Sequence, residues 1–274
     1  MNGAFKNTFD RESLVPLLNT KRLGRDQNLV ILKEIDSTNE EIKRRAAGGA
    51  GEGLVIFADL QTRGKGRRGR TWINPSGCNL AFSIMLRPLM PPEDASMITI
   101  VAALSFACAI RRISGEEALI KWPNDIVLHG KKITGILTEL VPSGDVPGYL
   151  VLGTGINVNT PSFPEELKET ATSLFLETGR RFSRPELASE CLNEFERRYE
   201  AFLKDKDLSG FKVEYESLCV NTGKEVFVLD PKGEYKGIAE GINNKGNLLV
   251  RREDGSLENI YAGEVSVRGI YGYA

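Results

Sequence analysis

Histidine is all but absent: the 274-residue chain has one, His129. A zinc cluster built on imidazoles is therefore excluded. A Ser-His-Asp relay is disfavoured as well, because His129 stands beside Gly130-Lys131 in what reads as an exposed hairpin turn. Chemistry run on charge and positioning, as in nucleotidyl and phosphoryl transfer, fits better. Cysteine is scarce too. Cys78, Cys108, Cys191 and Cys219 are scattered with no C-x-x-C pair, so they read as reduced, mostly buried small hydrophobes of a cytoplasmic protein. There is no surplus of either charge: 36 Lys and Arg stand against 37 Asp and Glu, net −1, so the chain as a whole is no polyanion binder. No apolar run looks long enough for a bilayer, the longest being the 14 residues Met97–Ile110. The first six residues show no apolar segment of the secretory kind.

Positive charge is instead concentrated in one place. Arg63-Gly64-Lys65-Gly66-Arg67-Arg68-Gly69-Arg70 holds five cations and three glycines in eight positions, followed by Trp72. Glycines allow tight turns and close approach of backbone N–H groups, and the cations suit phosphate or carboxylate. Gly64-x-Gly66-x-x-Gly69 looks like a dinucleotide fingerprint, and Gly64-x-x-x-x-Gly69-Arg70-Thr71 like a phosphate-binding loop. Both need a helix to open there, whereas Trp72-Ile73-Asn74-Pro75-Ser76-Gly77 breaks helices. An anionic ligand is the simplest occupant; a merely solvated basic turn is the bland alternative. Like charges in a Gly-rich segment repel, so the loop is expected to be disordered until an anion arrives.

Taken in order, residues 1–28 read as a polar extension with a short helix at Arg11–Leu18. Leu29–Ile35 reads as a strand, and Ser37-Thr38-Asn39-Glu40 as a capping box opening a helix that ends at Gly48-Gly49. Strands are predicted at Leu54–Ala58, Leu80–Leu86, Ala118–Leu128 (interrupted at Trp122-Pro123), Ile133–Leu140 and Tyr149–Val158. Met97–Ile113 reads as a buried helix, and Arg184–Lys204 and Leu208–Leu218 as amphipathic ones. Gly135, Gly153 and Gly155 sit inside strands, where glycine marks close approach of a ligand or backbone. From Lys224 the pattern changes to short strands at Glu225–Leu229, Tyr235–Ile242, Leu248–Arg252, Glu258–Tyr261 and Val265–Gly269, with turns at Asp230–Gly233, Asn243–Gly246 and Glu253–Gly255. Together these predict an α+β chain: a mixed central sheet with helices on it over 29–219, then a small β-barrel over 220–274.

Five blocks in this order resemble the biotin–protein ligases: Asp36-Ser37-Thr38-Asn39, Gln61 to Trp72, Lys121-Trp122-Pro123-Asn124-Asp125, Lys132-x-x-Gly135-Ile136-Leu137-x-Glu139 and Gly153-x-Gly155-Ile156-Asn157. The resemblance covers residues 29 to 270. It implies the class II aminoacyl-tRNA synthetase-like catalytic fold with an SH3-like C-terminal domain, and the shorter class that lacks an N-terminal DNA-binding domain. Biotin and ATP would react with Mg²⁺ to give biotinyl-5′-AMP and pyrophosphate, and biotin would pass to a lysine of a biotin carboxyl carrier domain. Carried over by motif position, Ser37, Thr38, Asn39 and Gln61 would hold the ureido ring, while Gly64, Lys65, Gly66 and Gly135 complete the biotin site. Arg67 and Lys132 would meet at the carboxylate–phosphate junction. Trp72 would pack over the adenine and Asn157 bond its edge, with Arg70, Lys121 and Asn124 on the nucleotide side. Asp125 would hold Mg²⁺ or orient the incoming lysine. Lys65 departs from the arginine of many relatives, and many relatives pair through the central sheet, which implies a homodimer. Neither specific DNA binding nor a membrane is expected. Three rivals are disfavoured: a lipoate–protein ligase or octanoyltransferase by the Gly64–Gly69 loop together with Lys121-Trp122-Pro123-Asn124-Asp125, a single-strand nucleic-acid module by the net charge of −1 and the lack of a broader basic stripe, and a transcriptional repressor by the lack of a helix-turn-helix pattern.

Overall fold

The computed structural model describes residues 8–143, 146–229, 233–262 and 266–269. Seven strands form the main sheet: β1 (Leu29–Ile35), β2 (Val55–Gln61), β3 (Leu80–Leu86), β4 (Leu119–Lys121), β5 (Asp125–Leu128), β6 (Lys131–Ser143) and β7 (Val146–Ile156). Their order is β1-β2-β3-β7-β6-β5-β4, with β1 and β2 parallel and every other pair antiparallel, so the sheet is mixed as expected.

The helices are α1 (Arg11–Leu14), α2 (Thr38–Ala47), α3 (Ser96–Ser114), α4 (Leu174–Thr178), α5 (Arg184–Asp205) and α6 (Lys212–Leu218). Alternation along β3 and β7 sends Phe82, Ile84, Leu150 and Leu152 into one large core with α3 and α5, where Phe106 meets Phe82 and Phe195. On the opposite face Met85, Ile56 and Val151 form a smaller cluster under Ile42 of α2. α3 is longer than its apolar stretch suggested, 19 residues. With the turn before it, Pro92–Ser114 has the length and mean hydropathy (1.6) of a membrane span, but that stretch is buried against the sheet and α5. Burial, not shortness, accounts for it.

Two local expectations change. Ser37 is the N-cap of α2, but no capping box forms: its side chain makes no cap bond, and the Glu40 carboxylate turns to Lys43 and Lys65. The orphan N–H of Thr38 is satisfied by Gln61 Oε1 at 2.8 Å. Residues 8–28, read as an extension, are part of the main core through Leu14, Leu18 and Leu23, and the Glu196 carboxylate of α5 accepts the N–H groups of Lys21, Arg22 and Leu23.

After α6 come β8 (Glu225–Leu229), β9 (Tyr235–Ile242), β10 (Leu248–Arg251), β11 (Leu257–Ile260) and β12 (Ser266–Gly269), an antiparallel sheet in the order β11-β10-β9-β8-β12. Of its predicted turns, residues 230–232 lie outside the described residues, as does Val265. This second sheet joins the same core. Trp122, between β4 and β5, is 2% exposed and donates its indole N–H to Gly246 O at 2.9 Å.

Candidate functional site

The site lies on the α2 face of the main sheet, where large side chains give way to small ones. Register places Gly135 opposite Gly155, Leu137 opposite Gly153, and Ser83 opposite Gly153, so three adjacent strands carry little side-chain bulk there. The glycines were read from sequence as close approaches of ligand or backbone. They are close approaches of side chains. A Cβ on Gly153 would stand 2.8 Å from Asn39 Cγ, and one on Gly155 would stand 2.5 Å from Trp72 Cζ2. Trp72 also lies over Gly135, whose Cβ would be 3.1 Å from its ring.

One end of the cleft is a neutral hydrogen-bonding wall. Thr38 and Asn39, 3% and 4% exposed, begin α2 and face strand β3. Ser83 Oγ lies 2.7 Å from Thr38 Oγ1 and 2.5 Å from Asn39 Oδ1. The Thr38 hydroxyl lies 3.0 Å from Gln61 Oε1, and the Asn39 amide nitrogen donates to Glu139 at 2.6 Å. Ser37, itself buried, completes this wall.

The other end is cationic. Lys132 Nζ sits 2.6 Å from Asp125 Oδ1 and 6.0 Å from the centre of the Trp72 ring. Arg67 donates to Asn124 Oδ1 at 2.6 Å and to the carbonyl of Ala262, next to the C-terminal sheet. Burial is the largest influence on this guanidinium and lowers its pKa, while the nearby Asp125 carboxylate opposes the shift. The loop itself is folded rather than extended: Lys65 bridges Thr71, Trp72 N–H bonds Gly64 O at 3.0 Å, and Arg68 and Gly69 take left-handed backbone (φ 55 and 73). Lys65 Nζ reaches back to Glu40 of α2 at 2.7 Å. That contact needs one point charge, which a lysine supplies as well as an arginine.

Eleven of the sequence-predicted residues line this one cleft: Ser37, Thr38, Asn39, Gln61, Lys65, Gly66, Arg67, Trp72, Asn124, Lys132 and Gly135. Five do not. Gly64 is buried beneath Trp72, where a Cβ would lie 2.5 Å from the Trp72 carbonyl oxygen. Arg70 is exposed, and Lys121 is buried on β4 opposite Asp125. Asn157, expected at the adenine edge, is 3% exposed and engaged inside: it donates to Thr172 O at 3.1 Å and accepts from Asn79 at 3.2 Å. Asp125 is engaged by Lys132 and by Asn124 Nδ2 at 3.2 Å. Among the described residues no three His, Cys, Asp or Glu side chains group to hold a metal ion.

Sequence reasoning missed Ser83 and Glu139 as parts of the wall. The signal for Ser83 was a lone polar residue in the apolar run Leu80-Ala81-Phe82-Ser83-Ile84-Met85-Leu86, where it is fully buried. Two polar groups at the site have no hydrogen-bond partner among the described residues: the indole N–H of Trp72 and the hydroxyl of Thr154. His129 lies far from this chemistry in function, exposed in a turn (φ 47) with Nδ1 2.6 Å from Glu177 Oε2.

Comparison with known proteins places the chain among relatives of known family and fold. Residues 32–157 match the biotin/lipoate A/B protein ligase family, and residues 222–268 match the biotin protein ligase C terminal domain. The bifunctional ligase/repressor BirA of Bacillus spizizenii is 34% identical over 91% of this chain and 76% of its own. The biotin–[acetyl-CoA-carboxylase] ligase of Paracoccus denitrificans is 34% identical over 81% of this chain and 93% of its own. Among solved structures, the biotin protein ligase of Aquifex aeolicus in complex with biotin and ATP superposes with a TM-score of 0.78 at 35% identity, covering 88% of this chain and 98% of that one.

Proposed function

The chain belongs to the biotin/lipoate A/B protein ligase family, and on that premise we propose that it joins biotin to a lysine of a biotin carboxyl carrier domain, using ATP. The observation that carries this reading is one cleft with two unlike ends, a buried neutral wall (Thr38, Asn39, Gln61) and a pair of cations (Arg67, Lys132). A ligand with a polar, uncharged ring at one end and a carboxylate at the other matches it. Biotin has that form. A dithiolane or a plain alkyl chain would bury the wall's polar groups without replacing their bonds to water, which disfavours lipoate and octanoate.

In the first step the biotin carboxylate attacks the α-phosphorus of ATP and pyrophosphate leaves, giving biotinyl-5′-AMP. The carboxylate is already a nucleophile at neutral pH, so no base is needed, in keeping with a site that holds no histidine. The requirement is positive charge beside crowded oxygens. Lys132, fixed by Asp125, and Arg67, fixed by Asn124 and Ala262, supply it at the two sides of the junction. ATP enters as its magnesium complex, the metal riding on the phosphates. Trp72 shields the mixed anhydride from water. In the second step the neutral ε-amine of the carrier lysine attacks the acyl carbon, the amide bond forms, AMP leaves and the amine gives up a proton.

Two further assignments belong to the same reading. The four free cysteines suit a reducing cytoplasm. A homodimer would cover the apolar surface at Leu89 and Leu140, 79% and 45% exposed; sedimentation of the wild type against Leu89→Lys tests it, and identical monomeric profiles would remove it.

Pyrophosphate release from ATP is the direct test, run with biotin, lipoate and octanoate, with and without magnesium. Release with biotin and magnesium alone is expected. Release with lipoate but not biotin would overturn the substrate. Arg67→Gly should release free biotinyl-AMP into solution; an unchanged dissociation rate of the intermediate would contradict the role given to Arg67.

A further inference from the structure

The neutral wall has a direction. Its bonds run Glu139–Asn39–Ser83–Thr38–Gln61, and the two ends of this chain are groups that cannot reverse roles. At one end stands the carboxylate of Glu139, which only accepts, so Asn39 must present its NH₂ there (2.6 Å) and its oxygen to Ser83 (2.5 Å). At the other end stands the backbone N–H of Thr38, which only donates, so Gln61 must present its oxygen (2.8 Å) and turn its NH₂ the other way. Between them Ser83 is obliged to donate to Asn39, and the Thr38 hydroxyl to donate to Ser83 or Gln61. The two amides thus keep N–H donors for a ligand, Asn39 and Gln61 both lining the cleft beside the Ser37 hydroxyl, which can donate or accept.

Glu139 is held in this role by charge. Lys43 donates to its other oxygen at 2.9 Å and also bonds Glu40, which in turn receives Lys65 of the cationic loop. Glu139 lies on the site face of β6, two residues beyond Leu137 and opposite Val151. Gly153 completes the arrangement, since any Cβ there would collide with the Asn39 amide.

We propose that Glu139 is a positioning residue that sets the donor polarity of this wall, and that the wall thereby selects a carbonyl oxygen on the ligand's ring. The inference rests on the biotin reading, in which that oxygen is the urea carbonyl. A glutamine at 139 can offer its own NH₂ to Asn39, which lets the Asn39 amide turn over and presents an acceptor where a donor stood. Biotin and 2-iminobiotin, which carries nitrogen in place of the urea oxygen, separate the two states.

The test is calorimetric titration of the full chain with both ligands, for the wild type, Glu139→Gln and Ser83→Ala. Wild type should prefer biotin strongly. Glu139→Gln should weaken biotin by about tenfold or more while leaving KM for ATP, read from pyrophosphate release, unchanged, so that the preference over 2-iminobiotin narrows. Ser83→Ala, which removes the donor to Asn39 Oδ1 but keeps Glu139, should narrow the same preference. An unaltered biotin-to-iminobiotin ratio in both variants would overturn the inference, as would an equal loss of biotin and ATP in Glu139→Gln. No biotin binding by the wild type would sink the biotin reading itself, and this inference with it.

Discussion

Gly155→Ala tests how the Trp72 ring is seated. A methyl group at 155 would come within 2.5 Å of Trp72 Cζ2, and nearer still to Cε2 and Nε1. Ordinary carbon contacts begin near 3.5 Å, so with Cε2 the nearest ring atom the ring has to retreat by about 1.4 Å. It cannot slide along the sheet freely, because Trp72 N–H is tied to Gly64 O and Asn74 Nδ2 to Asp59 O. The adjustment falls on the side-chain torsions, and the ring gives up its contact over Gly135. Overpacking of this kind costs about 1–3 kcal/mol, and each kcal/mol lowers Tm by roughly 2–4 °C in a chain of this size. The decisive measurement is a double-mutant cycle of melting temperatures: wild type, Gly155→Ala, Trp72→Ala and the double variant. With the indole gone, the added methyl has room, so its cost should vanish in the Trp72→Ala background. Emission should follow, since Trp72 and the deeply buried Trp122 are the two tryptophans of the chain, and Gly155→Ala should shift the Trp72 contribution to the red. An equal loss of stability in both backgrounds would refute the seating of Trp72 on Gly155.

Other outcomes follow from single contacts. Hydrogen bonds from Arg44 hold the Asp36 carboxyl at about 2, below its ordinary 3.8. A depressed acid contributes stability above its unfolded pKa and loses it as pH falls through the folded one; the stability difference between wild type and Asp36→Asn should therefore be present at neutral pH and shrink between pH 3.8 and about 2, and a pH-independent difference in urea midpoints would exclude the pair. Burial raises the thiol pKa of Cys108, Cys191 and Cys219, so in the native protein Cys191 and Cys219 should resist Ellman's reagent until unfolding; rapid reaction of all four thiols would contradict their burial. Trp122→Phe removes the bond to Gly246 O and leaves that buried carbonyl unpaired, at a cost of about 1–3 kcal/mol readable in urea unfolding; a neutral substitution would show that the indole does not brace the C-terminal sheet.

Much of this molecule can be read from the chain because its elements are locally consistent. The strands at Leu29–Ile35 and Leu80–Leu86 fall where alternation and turn residues put them, and Arg184–Asp205 follows its apolar spacing with only a residue's difference at its end. Site residues gathered for the same reason: the polar Thr38-Asn39 pair begins a helix at a strand end, and Arg67 lies in a tight loop that puts both Arg68 and Gly69 in left-handed backbone. What stayed hidden depends on pairing between distant strands. Ser83 becomes part of the wall only because β3 lies beside β7 and beneath α2, a register that no local pattern encodes. Asn157 is the mirror case: a polar residue after a glycine-rich strand looks like a ligand contact, and in the fold its amide is engaged by Asn79 and Thr172. The strand glycines show the limit most clearly. Sequence reveals that something must come close to Gly153 and Gly155, but only the folded neighbours reveal that it is the chain itself, through Asn39 and Trp72. If the wall sets the donor polarity proposed above, the residues behind the ligand-facing amides, Ser83 and Glu139, matter to the site as much as the loop residues Lys65, Gly66 and Arg67 that line it.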